Sequence, residues 1–164
     1  MTLRTLACTL ALIAAPAAFA ALKAGDPAPP FSAPASLAGK PFSYSLKDGL
    51  AKGPVVVYFY PSAYTSGCNI QAHEFSADPD YCAGKLAVAS DRDGKIALAF
   101  GLRVSGAQRG ATDTRGKEID HGFTERTTFV VKRDGTVLAA VGGVSPEANV
   151  ARALELVRKL APKR

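Results

Sequence analysis

Cys68 is the residue whose type and setting most clearly predict chemistry in this chain. It stands directly behind Ser66 and Gly67, where a helix can begin, eight residues after an apolar run at residues 55–60. Backbone N–H groups at a helix N-terminus and the positive end of the helix dipole stabilise a thiolate, the form of cysteine that attacks electrophiles. The sequence therefore predicts a reactive thiol. The alternative is a small buried hydrophobic residue, the usual role of a free cysteine.

The first 20 residues have the pattern of an export signal. Arg4 supplies a positive charge, residues 6–15 form an apolar core, and residues 18–20 (Ala-Phe-Ala) form a cleavage site with small residues at both ends. A transmembrane anchor is the competing interpretation, but the apolar run is too short for one. We expect residues 1–20 to be a signal peptide and residues 21–164 to be the mature domain. The protein would then be periplasmic or secreted, with no membrane attachment after cleavage.

The composition argues against a nucleic-acid-binding protein. The chain has 20 basic and 14 acidic residues, a formal net charge of +6. Its basic residues are scattered, without a block of five or six, and aromatic residues do not alternate with them. The length remaining after the leader is enough for one domain with its own hydrophobic core. We expect a single domain with a solvated surface and no nucleic-acid partner.

Two cysteines, Cys68 and Cys82, remain in the mature domain, and exported proteins tend to hold cysteines oxidised. One interpretation is a structural disulfide that closes a loop of 13 intervening residues and contributes about 3 kcal/mol on the loop-entropy model. The other is a redox pair in which Cys68 attacks a substrate and Cys82 resolves the product. The position of Cys68 between a strand and a helix favours the redox pair.

The order of apolar and turn-forming segments predicts an α/β fold. The predicted elements begin with an extended leader (residues 23–41), a short strand (42–46), a turn (48–49), a buried parallel strand (55–60) and the helix of Cys68 (68–77). They continue with a short apolar run (86–89), a short helix (95–100), a long loop (101–125), a hairpin (127–141) and a final helix (146–159). Ser145 can cap the final helix. A parallel start followed by an antiparallel pair would give a mixed sheet with helices packed on it.

The segment around the reactive cysteine resembles a known active site. Pro61, Thr65 and Cys68 stand at the spacing PxxxTxxC after a YFYP strand end, Phe75 follows seven positions later, and Arg126 opens the strand RTTFVV. Together these residues resemble the active site of the peroxiredoxins, particularly the bacterioferritin-comigratory, or Q-type, branch. The resemblance covers most of the mature chain. It implies a thioredoxin-like three-layer fold with a mixed central sheet flanked by helices.

The same resemblance implies a thiol-dependent peroxidase without a metal or cofactor. Cys68 would attack hydrogen peroxide or an organic hydroperoxide as a thiolate, Thr65 would hydrogen-bond it and orient the peroxide, and Pro61 would shield it from water. Arg126 would stabilise the negative charge of the thiolate and of the leaving oxygen. The resulting sulfenic acid would condense with Cys82 or with an outside thiol. A thioredoxin-like reductant would then regenerate the enzyme, which we expect to be a monomer or homodimer.

The chain also departs from the family pattern. His73 stands where many Q-type members have a resolving cysteine, and Gln71 stands where a glutamate is common. Between Phe75 and Leu86 the chain is too short for the usual further strand and crossover, so we expect the sheet to lack one strand. Residues 86–89 could fill the vacant edge beside residues 55–60. Otherwise the domain should be unstable or depend on association.

Three other functions are compatible with the sequence. A general thiol-disulfide oxidoreductase would share the fold but normally uses a CxxC pair. A metal-binding or scaffold protein could use Cys68, His73, Cys82 and His121, although their spacing fits no tight zinc pattern. A non-catalytic remnant could keep the fold without turnover.

Overall fold

A computed structural model describes residues 20–80, 82 and 84–160, and contains six strands and four helices in these ranges. The elements in chain order are β1 (Ser32–Leu37), β2 (Lys40–Ser45), α1 (Leu46–Lys52), β3 (Val55–Phe59), α2 (Ser66–Ala77), β4 (Val88–Ala89), α3 (Lys95–Ala99), β5 (Thr127–Val131), β6 (Val137–Gly142) and α4 (Pro146–Leu160). The predicted signal peptide lies outside the described residues except for its last position. None of the described helices is long and apolar enough to cross a membrane.

The central sheet consists of β3, β5 and β6, paired antiparallel in the order β3-β5-β6. β5 lies in the middle, and all five of its residues are buried. Because side chains alternate along a strand, Phe129 and Val131 enter one core cluster with Phe100, whereas Val130 enters a second cluster with Phe75. The sheet therefore separates two hydrophobic cores.

Helices cover both faces of this sheet. On one face, α2 and α4 pack together around Phe75, Val150 and Leu154. On the other face, α1 and α3 contribute Leu46 and Ala97 to the aromatic core. This arrangement confirms the predicted three-layer α/β fold. The positions of the strand before the reactive cysteine, the helix that carries the cysteine, the hairpin and the final helix also agree with the prediction within two residues at each end.

Residues 86–89 do not fill the vacant edge of the central sheet, the first of the two possibilities that the sequence left open. β4 pairs with β1, with Ala35 opposite Ala89 and Ser36 opposite Val88, in a second antiparallel sheet of order β2-β1-β4. A strand of two residues cannot cover the five residues of β3, and the described residues between α2 and β4 form turns or irregular chain rather than a crossover. Within the described residues, β3 therefore has one hydrogen-bonded neighbour and every strand pair is antiparallel. The prediction that residues 55–60 form a central parallel strand of a mixed sheet, buried on both faces, was wrong: β3 is a mostly half-buried edge strand, because the segment after α2 supplies no crossover to a parallel neighbour.

The predicted leader is more regular than its composition suggests. Residues 32–37 form β1, which pairs with β2 through a two-residue turn at Ala38 and Gly39, both with positive φ (49° and 79°). Such turns match the right-handed twist of antiparallel strands. The prediction of an irregular leader was wrong for this part, because strand pairing outweighs the low strand propensity of proline, alanine and serine.

The predicted turn at residues 48–49 is instead part of α1. Ser45 caps this helix, since its hydroxyl accepts a hydrogen bond from the Asp48 N–H at 3.4 Å. A Cβ on Gly49 would lie 2.5 Å from the Tyr44 hydroxyl. The glycine thus leaves room for a tyrosine side chain and does not mark a turn.

Candidate active site

The segment between β3 and α2 is a tight turn in an uncommon backbone conformation. Tyr64 has a φ of +58°, which non-glycine residues rarely adopt. Its carbonyl accepts hydrogen bonds from both the N–H and the hydroxyl of Thr114, at 2.9 and 2.7 Å. Thr65 follows in extended conformation as the N-cap of α2. The turn is therefore maintained by contacts from the long loop as well as by its own sequence.

Cys68 lies in the first turn of α2, as predicted. Its N–H donates to the Thr65 carbonyl at 3.0 Å, and the residue is only 5% exposed. The thiol is free. Cys68 therefore has little access to solvent and lies beside the positive end of the helix dipole.

Arg126 and Cys68 come together although 57 residues separate them in the chain. One guanidinium nitrogen, Nη2, donates to the Cys68 sulfur at 3.4 Å, and Nη1 donates to the Gly67 carbonyl at 3.4 Å. Arg126 directly precedes β5, whose pairing with β3 brings it opposite the end of that strand. The guanidinium therefore places a positive charge against the thiol, as the sequence predicted.

Thr65 and Pro61 lie in the turn beside the thiol, but Thr65 does not contact the sulfur in this structure. Its hydroxyl donates to the Ser62 carbonyl at 3.0 Å, which braces the turn. Pro61 is half-buried at the start of the same turn. The predicted roles of both residues toward a peroxide stay predictions.

Gln71 joins the site through a buried polar cluster that sequence reasoning missed. Its Oε1 accepts from Arg126 Nη1 at 2.6 Å, and its Nε2 donates to Asn149 Oδ1 at 2.8 Å. The Thr128 hydroxyl also donates to Asn149 Oδ1. Gln71, Thr128 and Asn149 are fully buried. Position 71 lies one helical turn after Cys68, which is the available sequence signal, whereas nothing in the sequence pointed to Asn149.

Besides the hydrogen bonds from Thr114, the long loop at residues 101–125 makes two more contacts with the active-site turn. The Arg115 guanidinium stacks on the Tyr64 ring at 3.5 Å, and Ser62 lies 3.3 Å from His121 Nε2. Hydrogen bonds from the Arg115 side chain hold the pKa of Asp113 below its ordinary value. The predicted long loop is thus docked on the turn that precedes Cys68.

Cys82 is half-buried and packs into the second core cluster with Tyr58 and Leu86. Burial raises the pKa of the Cys82 thiol, the nearby Asp78 raises it further, and Lys85 partly opposes this. Burial also raises the pKa of Tyr58, and the neighbouring Tyr60 and the two thiols raise it further. Both cysteines are free thiols in the structure, and their pairing stays a prediction.

The histidines and cysteines that the sequence offered as metal ligands do not form a cluster in the described part of the chain. His73 is exposed on α2, whereas His121 lies in the long loop against Ser62. Within the described ranges, no three or more histidine, cysteine, aspartate or glutamate side chains come together as a metal site would require.

Comparison with known proteins agrees with this geometry. The sequence profile of the AhpC/TSA family matches residues 24–86. A relative from Mycobacterium tuberculosis, named as a peroxiredoxin, is 30% identical over 165 residues, which cover 85% of this chain and 98% of the relative. A second such relative from the same organism is 32% identical over 149 residues, covering 80% of this chain and 92% of the relative.

Solved structures agree as well. Peroxidoxin BcpB from Mycobacterium tuberculosis is 28% identical with a TM-score of 0.61, over 86% of this chain and 99% of that one. The bacterioferritin comigratory protein of Xanthomonas campestris, 23% identical with a TM-score of 0.54 over 78% and 90% of the two chains, shares the fold.

A thioredoxin-like fold with a cysteine at a helix start, facing an arginine, defines a thiol peroxidase site. The chain belongs to the peroxiredoxin family, in its bacterioferritin-comigratory or Q-like branch. The predicted fold class and the predicted family are thereby confirmed.

Proposed function

We propose that this peroxiredoxin reduces hydrogen peroxide or organic hydroperoxides with Cys68 as the attacking thiolate. The observation that carries the proposal is the 3.4 Å contact between Arg126 Nη2 and the Cys68 sulfur. A guanidinium in this position stabilises the thiolate before attack and the negative oxygen that leaves during it. Attack forms a bond between sulfur and one peroxide oxygen while the bond between the two oxygens breaks. The other oxygen leaves as an alcohol or water after taking up a proton, and Cys68 becomes a sulfenic acid.

Cys82 is the proposed resolving thiol. Its sulfur would attack the sulfenic sulfur of Cys68, forming a disulfide and releasing water. Cys82 packs against the core cluster that contains Phe75, and Phe75 lies on the same helix as Cys68. The chain between the end of α2 and β4 carries Cys82 in a turn rather than in a regular element, and a turn can move its side chain toward the active site at lower cost than a strand or helix.

Regeneration requires two electrons from outside the protein. We propose a thioredoxin-like dithiol as the donor, which would exchange with the disulfide and leave both cysteines reduced. The pattern of residues 1–20 supports export to the periplasm or beyond. The proposed assembly is a monomer or homodimer.

The test is peroxide consumption by the purified protein with three matched variants. Cys68→Ser should abolish reaction with peroxide and Arg126→Met should slow it, because the first lacks the nucleophile and the second lacks the charge that stabilises it. Cys82→Ser should still consume one equivalent of peroxide but should form no internal disulfide, so its turnover would depend on direct attack of the donor thiol on the sulfenic acid. Intact mass after one equivalent should show the loss of two hydrogen atoms in the wild type and the gain of one oxygen in Cys82→Ser. A folded wild type that leaves peroxide untouched would refute the proposed function.

A further inference from the structure

The buried amide of Asn149 has an orientation that the backbone of β6 determines. Its Nδ2 donates to the carbonyl of Val141 at 2.8 Å. A carbonyl can only accept, so the amide nitrogen must face Val141 and the amide oxygen must face the other way. That oxygen receives hydrogen bonds from the Gln71 amide at 2.8 Å and from the Thr128 hydroxyl.

This orientation is passed on to Gln71. Because Asn149 presents an oxygen, Gln71 must present its NH₂ group to it, which leaves Oε1 as the atom that faces Arg126. The contact between Oε1 and Nη1 measures 2.6 Å, short for a hydrogen bond and typical of a charge-assisted one. With the amide reversed, two donors would face each other at this distance, and the guanidinium would have to move.

The other end of the same guanidinium holds the thiol. Nη2 donates to the Cys68 sulfur at 3.4 Å, so a displacement of Arg126 changes the charge that the sulfur experiences. Among the described residues, no carboxylate forms an ion pair with Arg126. Glu147 of α4 is near enough for the guanidinium to contribute to the lowered pKa of its carboxyl, after hydrogen bonds from its own backbone and from Ser145. Gln71 is neutral, and its hydrogen bond therefore orients Arg126 without cancelling the positive charge.

We propose that Asn149 of α4 is a positioning residue for Arg126, acting through Gln71. A backbone carbonyl of β6 determines the orientation of the Asn149 amide, and that amide determines the orientation of the Gln71 amide. Gln71 in turn holds the guanidinium against the Cys68 sulfur. The three side chains before the guanidinium in this cluster, Gln71, Thr128 and Asn149, are fully buried, so water cannot replace a lost partner readily. The inference rests on the proposed function, since it concerns the reactivity of Cys68.

The test is a double-mutant cycle on the second-order rate constant for Cys68 with hydrogen peroxide. The variants are Asn149→Leu, Arg126→Met and the two combined, all with Cys82→Ser so that one thiol reports. We expect Asn149→Leu to lower the rate constant roughly tenfold in the presence of Arg126, and less than twofold when Arg126 is already methionine. A structural disturbance that acts on Cys68 directly would lower the rate equally in both backgrounds, and that result would overturn the proposal.

A control and a second variant separate positioning from stability. Val150→Ala removes a buried side chain next to Asn149 on α4, and should lower the unfolding midpoint without changing the rate constant. If Asn149→Leu does not fold, Gln71→Met breaks the same connection and leaves Asn149 bonded to Val141 and Thr128. It should show the same dependence on Arg126, and a rate constant within twofold of the parent in a folded Gln71→Met protein would likewise overturn the proposal.

Alkylation of Cys68 by iodoacetamide makes failure of the two proposals distinguishable. This reaction requires the thiolate but no peroxide. Slower alkylation of Asn149→Leu in a protein that ignores peroxide would refute the proposed function and support the positioning role. If the parent protein reduces peroxide normally and Asn149→Leu reduces it at the same rate, the result would support the proposed function and refute the positioning role.

Discussion

Gly67 stands where Arg126 and the start of α4 both approach the helix of Cys68. A Cβ built at this position would lie 3.0 Å from the Cγ of Pro146 and 3.2 Å from Nη2 of Arg126. Both distances are shorter than side-chain contacts usually tolerate, so in Gly67→Ala one neighbour must move by a few tenths of an ångström. Pro146 is the first residue of α4 and is held by the packed helix. The guanidinium is the far end of a longer side chain, and we expect it to move.

The size of the effect follows from the contact between Arg126 and the sulfur. Lengthening the separation of 3.4 Å by about 0.5 Å weakens the attraction between two unit charges by about 0.6 kcal/mol at an effective dielectric constant of about 20. If this energy is lost only when the thiolate is formed and attacks, the rate constant falls roughly threefold. In contrast, alanine in a helix is more favourable than glycine by about 0.5–1 kcal/mol. Gly67 does not have a positive φ that would cancel this gain.

The prediction is thus a slower enzyme that is no less stable. The assay pairs stopped-flow reaction with hydrogen peroxide and urea unfolding, for the wild type, Gly67→Ala and the neighbouring control Ser66→Ala. Ser66 is exposed at the start of the same helix, and its change should leave the rate constant as it is. The reasoning is refuted if Gly67→Ala reacts as fast as the wild type, or if its stability and its rate fall together, since the clash would then have disturbed the helix.

Two further predictions concern stability and pH. Phe75→Ala removes a ring that is 1% exposed and packs on Tyr58 with ring centroids 4.9 Å apart. The change should lower the free energy of unfolding, measured by urea titration, by about 3–5 kcal/mol. A loss below about 1 kcal/mol would contradict this, because it would show that the surrounding core collapses to fill the space. The raised pKa of Cys82 means that the folded state retains this proton more strongly than the unfolded chain. Its contribution to stability is therefore present below the ordinary thiol pKa and is lost as the pH rises through the higher folded value. Unfolding of the reduced protein across that range should show this decline, and Cys82→Ser should lack it.

The raised pKa of Cys82 also bears on resolution of the sulfenic acid. Only the thiolate attacks the sulfenic sulfur efficiently. Disulfide formation should therefore continue to accelerate above the pH at which an ordinary thiol is already ionised. Quenched-flow samples analysed by intact mass would measure this, and a rate that levels off near the ordinary thiol pKa would contradict it.

Local patterns were sufficient to predict much of the fold. The strand before the turn, the helix of Cys68, the hairpin at Asp134-Gly135 and the capped final helix all lie where they were predicted, although the strand is a mostly half-buried antiparallel edge strand and not a buried parallel one. Each has signals within a few residues: β-branched runs, turn residues and a serine cap. The predictions that were wrong concern β1, α1 and β4. Their form depends on pairing or capping partners, which outweigh weak local propensities.

The sequence alone determined that a thiol stands at a helix start and that an arginine opens a distant strand, because motif and spacing are properties of the chain. Only the tertiary structure decided that Arg126 reaches the sulfur and that Gln71 orients it. It also decided that Asn149, brought in by α4, sets the orientation of Gln71. The physical reason is that hydrogen-bond direction depends on which atoms face each other in space. A buried amide has one workable orientation only after its neighbours from other elements are in place.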